Sequence, residues 1–226
     1  MTKTILIAGA SRGIGYEMAR QAQARGDRVI ATARSEDGRA RLKALGVEAH
    51  PLEVKDEASA NALSAAVTGP LDVLVVNAGV YRGRGGIDAE DSGADAWADV
   101  LMTNVAGPFL LARALLGHLG DGSNAGKIAI LSSVMASSAR APGGGYLYRS
   151  SKAAVTNVAC NLAAELRPRG IAVGSYHPGW VRTDMGGSGA DISVEESASG
   201  LLSRFDALSL ETTGVFEDYA GRTIPF

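Results

Sequence analysis

Short apolar runs alternate with helical patterns along the chain, and this alternation limits the possible folds more than any other feature. Six runs have the length and composition of strands: residues 4–8, 28–32, 47–52, 71–76, 127–131 and 170–175. The longest helical patterns cover about 94–119 and 148–167, and a short seventh strand is predicted at 214–216. Such alternation is typical of a parallel sheet with helices on both faces. We therefore predict an α/β fold of about seven strands, with residues 1–226 forming a single domain.

Composition narrows the classes of partner. The net charge is -2 and no basic run of five or more residues occurs, so nucleic acid and anionic membranes are not expected as partners. No apolar run is expected to reach the length of a membrane span. Cys160 is the only cysteine, and its apolar helical surroundings predict a buried, reduced thiol and a cytoplasmic location. His50, His118 and His177 lack the spacing of metal ligands, so no metal site is predicted.

A glycine-rich loop joins the first predicted strand to the first predicted helix. Residues 9–15 read Gly-Ala-Ser-Arg-Gly-Ile-Gly. Glycines allow a tight turn and a close approach of the backbone, and the N–H groups at a helix N-terminus can bind a pyrophosphate. The alternative is a glycine-rich turn that binds nothing. The position between a strand and a helix is the one that a dinucleotide site requires.

Tyr148 and Lys152 are four residues apart in the longest helical pattern of the second half of the chain. They therefore share one face of the helix. A phenol with a pKa of about 10 is a poor acid or base at neutral pH, but a neighbouring ammonium group stabilises the phenolate and lowers that pKa. Such a pair could exchange a proton with a substrate. Taken alone, the pattern is more typical of an ordinary pair on a helix surface.

Six motifs in register make the chain resemble the short-chain dehydrogenase/reductase family along essentially its whole length. They are Gly9-x-x-x-Gly13-Ile14-Gly15, Asn77-Ala78-Gly79, Asn104, Ser132-Ser133, Tyr148-x-x-x-Lys152 and Pro178-Gly179 with Thr183. The segments 148–152, 177–187 and 224–226 are similar to those of the C-factor-like and sniffer-like carbonyl reductases. The resemblance implies a Rossmann-type doubly wound sheet. It also implies an oxidoreductase that transfers hydride between a nicotinamide and a small carbonyl or alcohol substrate.

The resemblance also implies a role for each matching residue. Tyr148 matches the general acid/base, and Lys152 matches the residue that lowers the pKa of the tyrosine and holds the nicotinamide ribose. Ser133 matches the hydroxyl that binds the substrate oxygen, and Asn104 matches a residue that bends its helix and holds a water in the proton relay. The residues expected to contact the cofactor, besides Tyr148 and Lys152, are Gly9, Ser11, Arg12, Gly13, Ile14, Gly15, Arg34, Glu53, Val54, Asn77, Ala78, Gly79, Pro178, Gly179, Val181 and Thr183.

The end of the second predicted strand indicates which cofactor is used. An NAD site of this type has Asp or Glu there, accepting hydrogen bonds from the adenosine ribose. This chain has Ala33 followed by Arg34, and Arg12 lies in the glycine loop. Ala33 leaves room for a 2′-phosphate, and the arginines offer cationic groups to bind it. We therefore predict NADP(H) in preference to NAD(H).

Two alternative functions stay open at this point. A sugar-nucleotide epimerase also uses Tyr-x-x-x-Lys on this fold, but such chains normally add a sizeable C-terminal domain. A cofactor-binding C-factor-like signalling protein with little turnover is the other alternative. The sequence does not identify the substrate, because the loops at 82–92, 134–146 and 184–195 would select it. The family resemblance also implies a homodimer through helices 94–119 and 148–167, although a long segment before the tyrosine is associated with monomers in some relatives.

Overall fold

A computed structural model describes residues 2–120 and 125–226. Within these residues seven strands form one parallel sheet in the order β3-β2-β1-β4-β5-β6-β7. The strands are β1 Thr4–Ala8, β2 Arg28–Ala33, β3 Glu48–Pro51, β4 Val73–Val76, β5 Gly126–Leu131, β6 Ile171–His177 and β7 Phe216–Asp218. The helices are α1 Gly13–Ala24, α2 Glu36–Ala44, α3 Glu57–Ala66, α4 Ala94–Leu101, α5 Gly107–Leu115, α6 Tyr146–Leu166 and α7 Val194–Ala207. The predicted fold class is confirmed; the assignment of residues 1–226 to a single domain stays a prediction.

The core has two layers because alternate residues of each strand face opposite sides of the sheet. Leu6 belongs to the layer that is completed by α3, α5 and α6, for example by Leu111 and Val155. Ile7 belongs to the other layer, which α1, α2 and α7 cover with side chains such as Met18. Helices on both faces explain why the strands are apolar along their whole length.

The strand order determines where a ligand can bind. β1 pairs with β2 on one side and with β4 on the other, so the direction of the connections reverses between β1 and β4. In sheets of this kind ligands bind in the crevice outside the carboxyl ends of the strands at this reversal. The loops after β1, β4, β5 and β6 meet at this edge and carry the glycine loop, residues 77–79, Ser133 and residues 178–183, while Tyr148 and Lys152 lie in α6.

The helix predicted at 94–119 is not continuous. A π-helical turn, Met102–Ala106, separates α4 from α5, and a 3₁₀ turn follows at Leu116–His118. Pro108 has no N–H to donate to the carbonyl of Asn104 four residues earlier, so regular α-helical bonding is interrupted here. The expectation that Asn104 lies where its helix is distorted therefore agrees with the structure.

Two expectations about individual segments are wrong. By length and composition alone Ala94–His118 could cross a membrane, whereas no apolar run of that length was expected. Core helices of folded domains share this property, and Leu111 and Leu115 of this stretch are buried in the protein core. Cys160 is exposed, although a buried thiol was predicted. The buried residues of α6 form a stripe through Val155, Ala159 and Leu162, and Cys160 lies outside it.

Candidate active site

The glycine loop between β1 and α1 leaves no room for a side chain at Gly9 or Gly15. Gly9 has φ of 84°, and a Cβ atom built on it would lie 2.8 Å from the Cα atom of Ala78. The side-chain Nδ2 of Asn77 donates a hydrogen bond to the Gly9 carbonyl at 2.6 Å, which joins the loops after β1 and β4. Arg12, the residue before α1, forms no side-chain hydrogen bond to the N-terminus of the helix. First-turn N–H groups of α1 therefore have no side-chain cap, as a pyrophosphate site requires.

A cavity of about 670 Å³ runs from this loop along the carboxyl edge of the sheet. Its lining brings together most of the residues predicted to contact the cofactor: Gly9, Ser11, Arg12, Gly13, Ile14, Arg34, Glu53, Val54, Asn77, Ala78, Gly79, Tyr148, Lys152, Pro178 and Thr183. Its size is within the range of small-molecule sites. One continuous cavity therefore connects the glycine loop to the Tyr148–Lys152 pair.

Three residues predicted to contact the cofactor are not among those that line the cavity. Gly15 packs behind the loop against the Gly9 carbonyl and the side chain of Asn77. Gly179 has φ of 88° and allows the chain to pass Ile192. Val181 is buried and forms an isolated parallel bridge with Ile192. In this structure these three residues shape the walls of the site from behind.

Both arginines predicted to bind a 2′-phosphate lie on the cavity, each near a carboxylate. Arg34 Nη1 is 3.8 Å from Glu53 Oε2, and Arg12 Nη1 is 2.8 Å from Asp184 Oδ2. The side chains of Arg34 and Arg12 are each 70% exposed. Exposed ion pairs of this kind contribute only about 0–1 kcal/mol, so either arginine could exchange its partner for a phosphate.

Arg41 of α2 also lines the cavity and was not predicted. Together with Arg12, Arg34, Arg182 and Lys152 it is one of five cationic residues that line this cavity. In the sequence Arg41 resembles any exposed arginine of a polar helix. Its position could have been inferred only from the way in which α2 follows β2.

Tyr148 and Lys152 are both buried beneath the cavity. Lys152 Nζ donates a 2.7 Å hydrogen bond to the carbonyl of Leu131 at the end of β5, and it lies 5.6 Å from the centre of the Tyr148 ring. Burial raises the pKa of Tyr148 to about 12 and lowers the pKa of Lys152 to about 8. The expected lowering of the Tyr148 pKa is therefore wrong in direction. Burial is the largest influence and disfavours the phenolate.

Two adjacent serines follow β5, and their hydroxyl groups face different partners. Ser132 Oγ lies 2.6 Å from Thr156 Oγ1 in the interior. The Ser133 hydroxyl is close enough to Tyr148 to act against the rise in the pKa of the phenol, and it accepts a hydrogen bond from the Met135 N–H at 3.1 Å. Of the two hydroxyls, that of Ser133 is therefore the one next to Tyr148.

Asn104 connects the π-helical turn to the loop after β4. Its Oδ1 accepts from the Val80 N–H at 2.8 Å, and its Nδ2 donates to the Val80 carbonyl at 2.9 Å and to Ser151 Oγ at 3.0 Å. The residue is 1% exposed and does not line the cavity. Its side chain therefore positions the loop that begins at Asn77, and we describe it as a positioning residue.

The amino-acid sequence of the chain is similar to those of known proteins. A model of the family described as short chain dehydrogenase matches residues 3–191. The chain belongs to this family. Among curated relatives, the C-signal protein of Myxococcus xanthus is 38% identical over 163 residues, which are 70% of this chain and 95% of that protein.

Solved structures of other short-chain dehydrogenases superpose on the whole chain. The carbonyl reductase Sniffer of D. melanogaster is 28% identical, with a TM-score of 0.90 and 100% of each chain covered. A carbonyl reductase from Pseudomonas aeruginosa PAO1 in complex with NADP is 34% identical, with a TM-score of 0.86 and 100% of each chain covered. The predicted resemblance to the C-factor-like and sniffer-like branch is therefore confirmed.

The loop after β4 contributes one aromatic contact that the sequence did not indicate. The ring centres of Tyr81 and Tyr148 are 4.3 Å apart, with an angle of 34° between the ring planes. Tyr81 therefore packs directly against the predicted proton donor. Among the residues that the structure describes, no group of three His, Cys, Asp or Glu side chains is placed to hold a metal ion.

Proposed function

We propose that this short-chain dehydrogenase is an NADPH-dependent reductase of small carbonyl compounds with Tyr148 as its general acid. One observation carries the proposal: a buried phenol, Tyr148, and a buried ammonium group, Lys152, line the same cavity as the uncapped glycine loop. Ser133 is not among the lining residues, but its hydroxyl is next to Tyr148. Bound NADPH would supply the hydride. In the reverse direction the same residues would serve alcohol oxidation.

The residues of the chain support a division of roles in the proposed reaction. With a pKa of about 12, Tyr148 holds its proton at neutral pH and can donate it to the carbonyl oxygen. Ser133, beside Tyr148, would donate a hydrogen bond to the same oxygen. Lys152 is charged below a pH of about 8 and lies near enough to stabilise the phenolate that remains after proton transfer. The same ammonium group would hold the nicotinamide ribose.

The cofactor preference rests on charge at one end of the cavity. Ala33 places no carboxylate at the end of β2, and Arg12, Arg34 and Arg41 line the same cavity as Ala33, as do Glu53 and Asp184. A phosphate with close to two negative charges competes well with exposed carboxylate partners. NADP or NADPH is bound in the related carbonyl reductases of P. aeruginosa and chicken fatty liver. We therefore propose NADP(H) in preference to NAD(H).

Exposed apolar side chains on the loops at the carboxyl edge favour a substrate with an apolar body. Ile87 follows β4, Tyr146 begins α6, and Trp180 and Met185 follow β6; their exposed fractions are 79%, 42%, 53% and 41%. Apolar side chains grouped around a site favour contact with an apolar ligand. Of the four, Met185 lines the cavity itself.

Replacing Tyr148 by Phe tests the proposed chemistry. Loss of a positioned general acid typically lowers the rate by 10²–10⁴-fold. The Tyr148→Phe protein should lose this factor in NADPH oxidation with a panel of aldehydes, ketones and diketones, while NADPH binding stays close to that of the unmodified protein. Tyr16→Phe, which removes the hydroxyl of a tyrosine on α1 that does not line the cavity, is the matched control and should retain activity. Near-normal turnover by Tyr148→Phe would contradict the mechanism.

A second candidate function is that of a cofactor-binding signalling protein with little turnover. The similarity to the C-signal protein of M. xanthus is the observation that favours it. The same assay separates the two functions: a signalling protein would bind NADPH but would not oxidise it with any carbonyl compound of the panel.

We also propose that the chain forms a homodimer. Leu101, Met102 and Phe109 are large apolar residues on α4, the π turn and α5, and they are 37%, 41% and 40% exposed. An apolar helical face of this kind requires cover. Light scattering should give twice the chain mass of 23.2 kDa, and a species of the single-chain mass at micromolar concentration would reject the proposal. The cytoplasmic location and the lack of nucleic-acid and membrane partners stay predictions.

A further inference from the structure

The loop after β4 places a positive charge close to Tyr148. The Tyr81 ring packs against the Tyr148 ring with 4.3 Å between centres. The guanidinium carbon of Arg84 lies 4.6 Å from the centre of the same Tyr81 ring. The guanidinium therefore cannot lie further from the Tyr148 ring centre than the sum of these two distances. A permanent cation is thus separated from the proposed proton donor by one side chain.

The guanidinium of Arg84 is bound only by a neutral acceptor. Its Nη2 donates to the carbonyl of Met185 at 3.0 Å, and no carboxylate in residues 2–120 and 125–226 forms an ion pair with it. Arg82, two residues earlier, differs in this respect because its Nη2 lies 3.2 Å from Asp99 Oδ2. An arginine has five N–H donors, so Arg84 retains most of its capacity for hydrogen bonds.

Arg84 lies between two cavities. Met185, which accepts its hydrogen bond, lines the large cavity that contains Tyr148. Arg84 does not line that cavity; it lines a second one of about 440 Å³, together with Tyr81, Arg82 and the acidic residues Glu90 and Asp91. Because these two carboxylates form no ion pair with Arg84, the charge of the guanidinium is not neutralised by direct contact with them.

We propose that Arg84 binds a carboxylate carried by the substrate, so that the enzyme prefers oxo acids to neutral carbonyl compounds of the same shape. The inference rests on the proposed carbonyl reductase function and adds the class of substrate to it. A planar guanidinium matches a carboxylate through two parallel hydrogen bonds. The carbonyl oxygen would lie at Tyr148 and Ser133, and the carboxylate would take the place of solvent at the free N–H groups of Arg84.

The competing explanation is that Arg84 only joins the two loops. Its bond to Met185 and its contact with Tyr81 would then keep the loops together for any substrate. Loss of the side chain would in that case lower activity toward charged and neutral substrates alike. Two substrates of similar shape, one anionic and one neutral, separate the explanations when the ratio of their rates is compared between the unmodified enzyme and the Arg84 variants.

Two aromatic aldehydes, 4-formylbenzoate and its methyl ester, form such a pair. Their kcat/KM values would be measured by NADPH oxidation for the unmodified enzyme, Arg84→Met and Arg84→Lys. Arg82→Met is the matched control, because Arg82 lies in the same loop but pairs with Asp99. The unmodified enzyme should prefer the acid about tenfold, which corresponds to about 1.4 kcal/mol.

The preference for the acid over the ester should depend on the charge of the side chain at position 84. Arg84→Met should lose the preference while its rate with the ester changes less than about threefold. Arg84→Lys should keep part of the preference, and Arg82→Met should keep it whole. Added salt should reduce the preference of the unmodified enzyme.

Three results would overturn the inference. Equal rates with both aldehydes, or a preference for the ester, would exclude recognition of a carboxylate. An equal loss with both aldehydes in Arg84→Met would leave only the loop-joining role. If the unmodified enzyme reduced neither aldehyde nor any compound of the wider panel, the proposed reductase function would fail, and the inference with it.

Discussion

Replacing Arg34 by Ala should remove much of the proposed preference for NADPH over NADH. Hydrogen bonds to charged groups contribute about 1.5–3 kcal/mol each. From this we subtract the pairing of Arg34 with Glu53, which is exposed and contributes about 0–1 kcal/mol. A net effect of about 1.5 kcal/mol for Arg34 corresponds to about a tenfold change in the ratio of kcat/KM values. Arg12, which would give up Asp184 in the same way, brings the whole preference to on the order of a hundredfold.

The assay compares initial rates with NADPH and NADH at one carbonyl substrate. Arg34→Ala should lower the NADPH:NADH ratio about tenfold, mainly through KM for NADPH, with little change for NADH. Ala33→Asp should reverse the preference, because a carboxylate there repels a 2′-phosphate and accepts hydrogen bonds from ribose hydroxyls. Glu53→Gln should raise the ratio, since it removes the carboxylate that lies near Arg34.

Arg25 provides a control, because it lies far from the cavity. Arg25 follows α1 at the end opposite the cavity and pairs with Asp27 and Asp206, so Arg25→Ala should leave the ratio unchanged. Equal kcat/KM values for both cofactors in the unmodified enzyme would refute the reasoning. An unchanged ratio in Arg34→Ala would show that Arg34 does not bind the phosphate.

Three further predictions concern pH and stability. In pH–rate profiles kcat/KM for reduction should fall above a pH of about 8, where Lys152 loses its proton, and not near 12, where Tyr148 does. Burial lowers the pKa of His177 from 6.5 to about 4, so between these pH values the unfolded chain binds a proton that the folded chain does not. The free energy of unfolding, measured with urea, should therefore fall by about 2 kcal/mol from pH 6.5 to pH 4. His177→Gln should lose this contribution to the pH dependence. The buried Tyr176 hydroxyl has no hydrogen-bond partner among the described protein groups. Tyr176→Phe should therefore raise the free energy of unfolding by about 1 kcal/mol. A decrease of about 1 kcal/mol in the free energy of unfolding would contradict the reasoning.

The order of strands and helices could be predicted because each element has its own apolar pattern. β1 and β4 are short and apolar and are followed by glycine or asparagine, a pattern that predicts a buried strand ending in a loop. The interruption of the helix at Asn104 was predictable only through the family resemblance. In the sequence, Pro108 alone indicates it, and a proline at that position is equally compatible with the first turn of a new helix.

The site was predictable where backbone geometry requires particular residues and not where side chains meet across loops. Gly9 and Tyr148 belong to motifs with a fixed local structure. The contact of Tyr81 with Tyr148 and the bond from Arg84 to Met185 join residues of different loops, and nothing in their spacing indicates either contact. The raised pKa of Tyr148 likewise depends on how deeply the fold buries the phenol, which a motif does not specify.

The contact between Gly9 and Ala78 divides the site into a half that resists change and a half that accepts it. A Cβ atom at Gly9 would lie 2.8 Å from the backbone of Ala78, so the loop after β1 cannot accept a larger residue where it meets the loop after β4. Around Ile87 and Trp180, by contrast, the side chains are mostly exposed and few neighbours limit their size. New substrate specificities can therefore evolve, or be engineered, by exchanging the outer loops while the cofactor half is inherited intact.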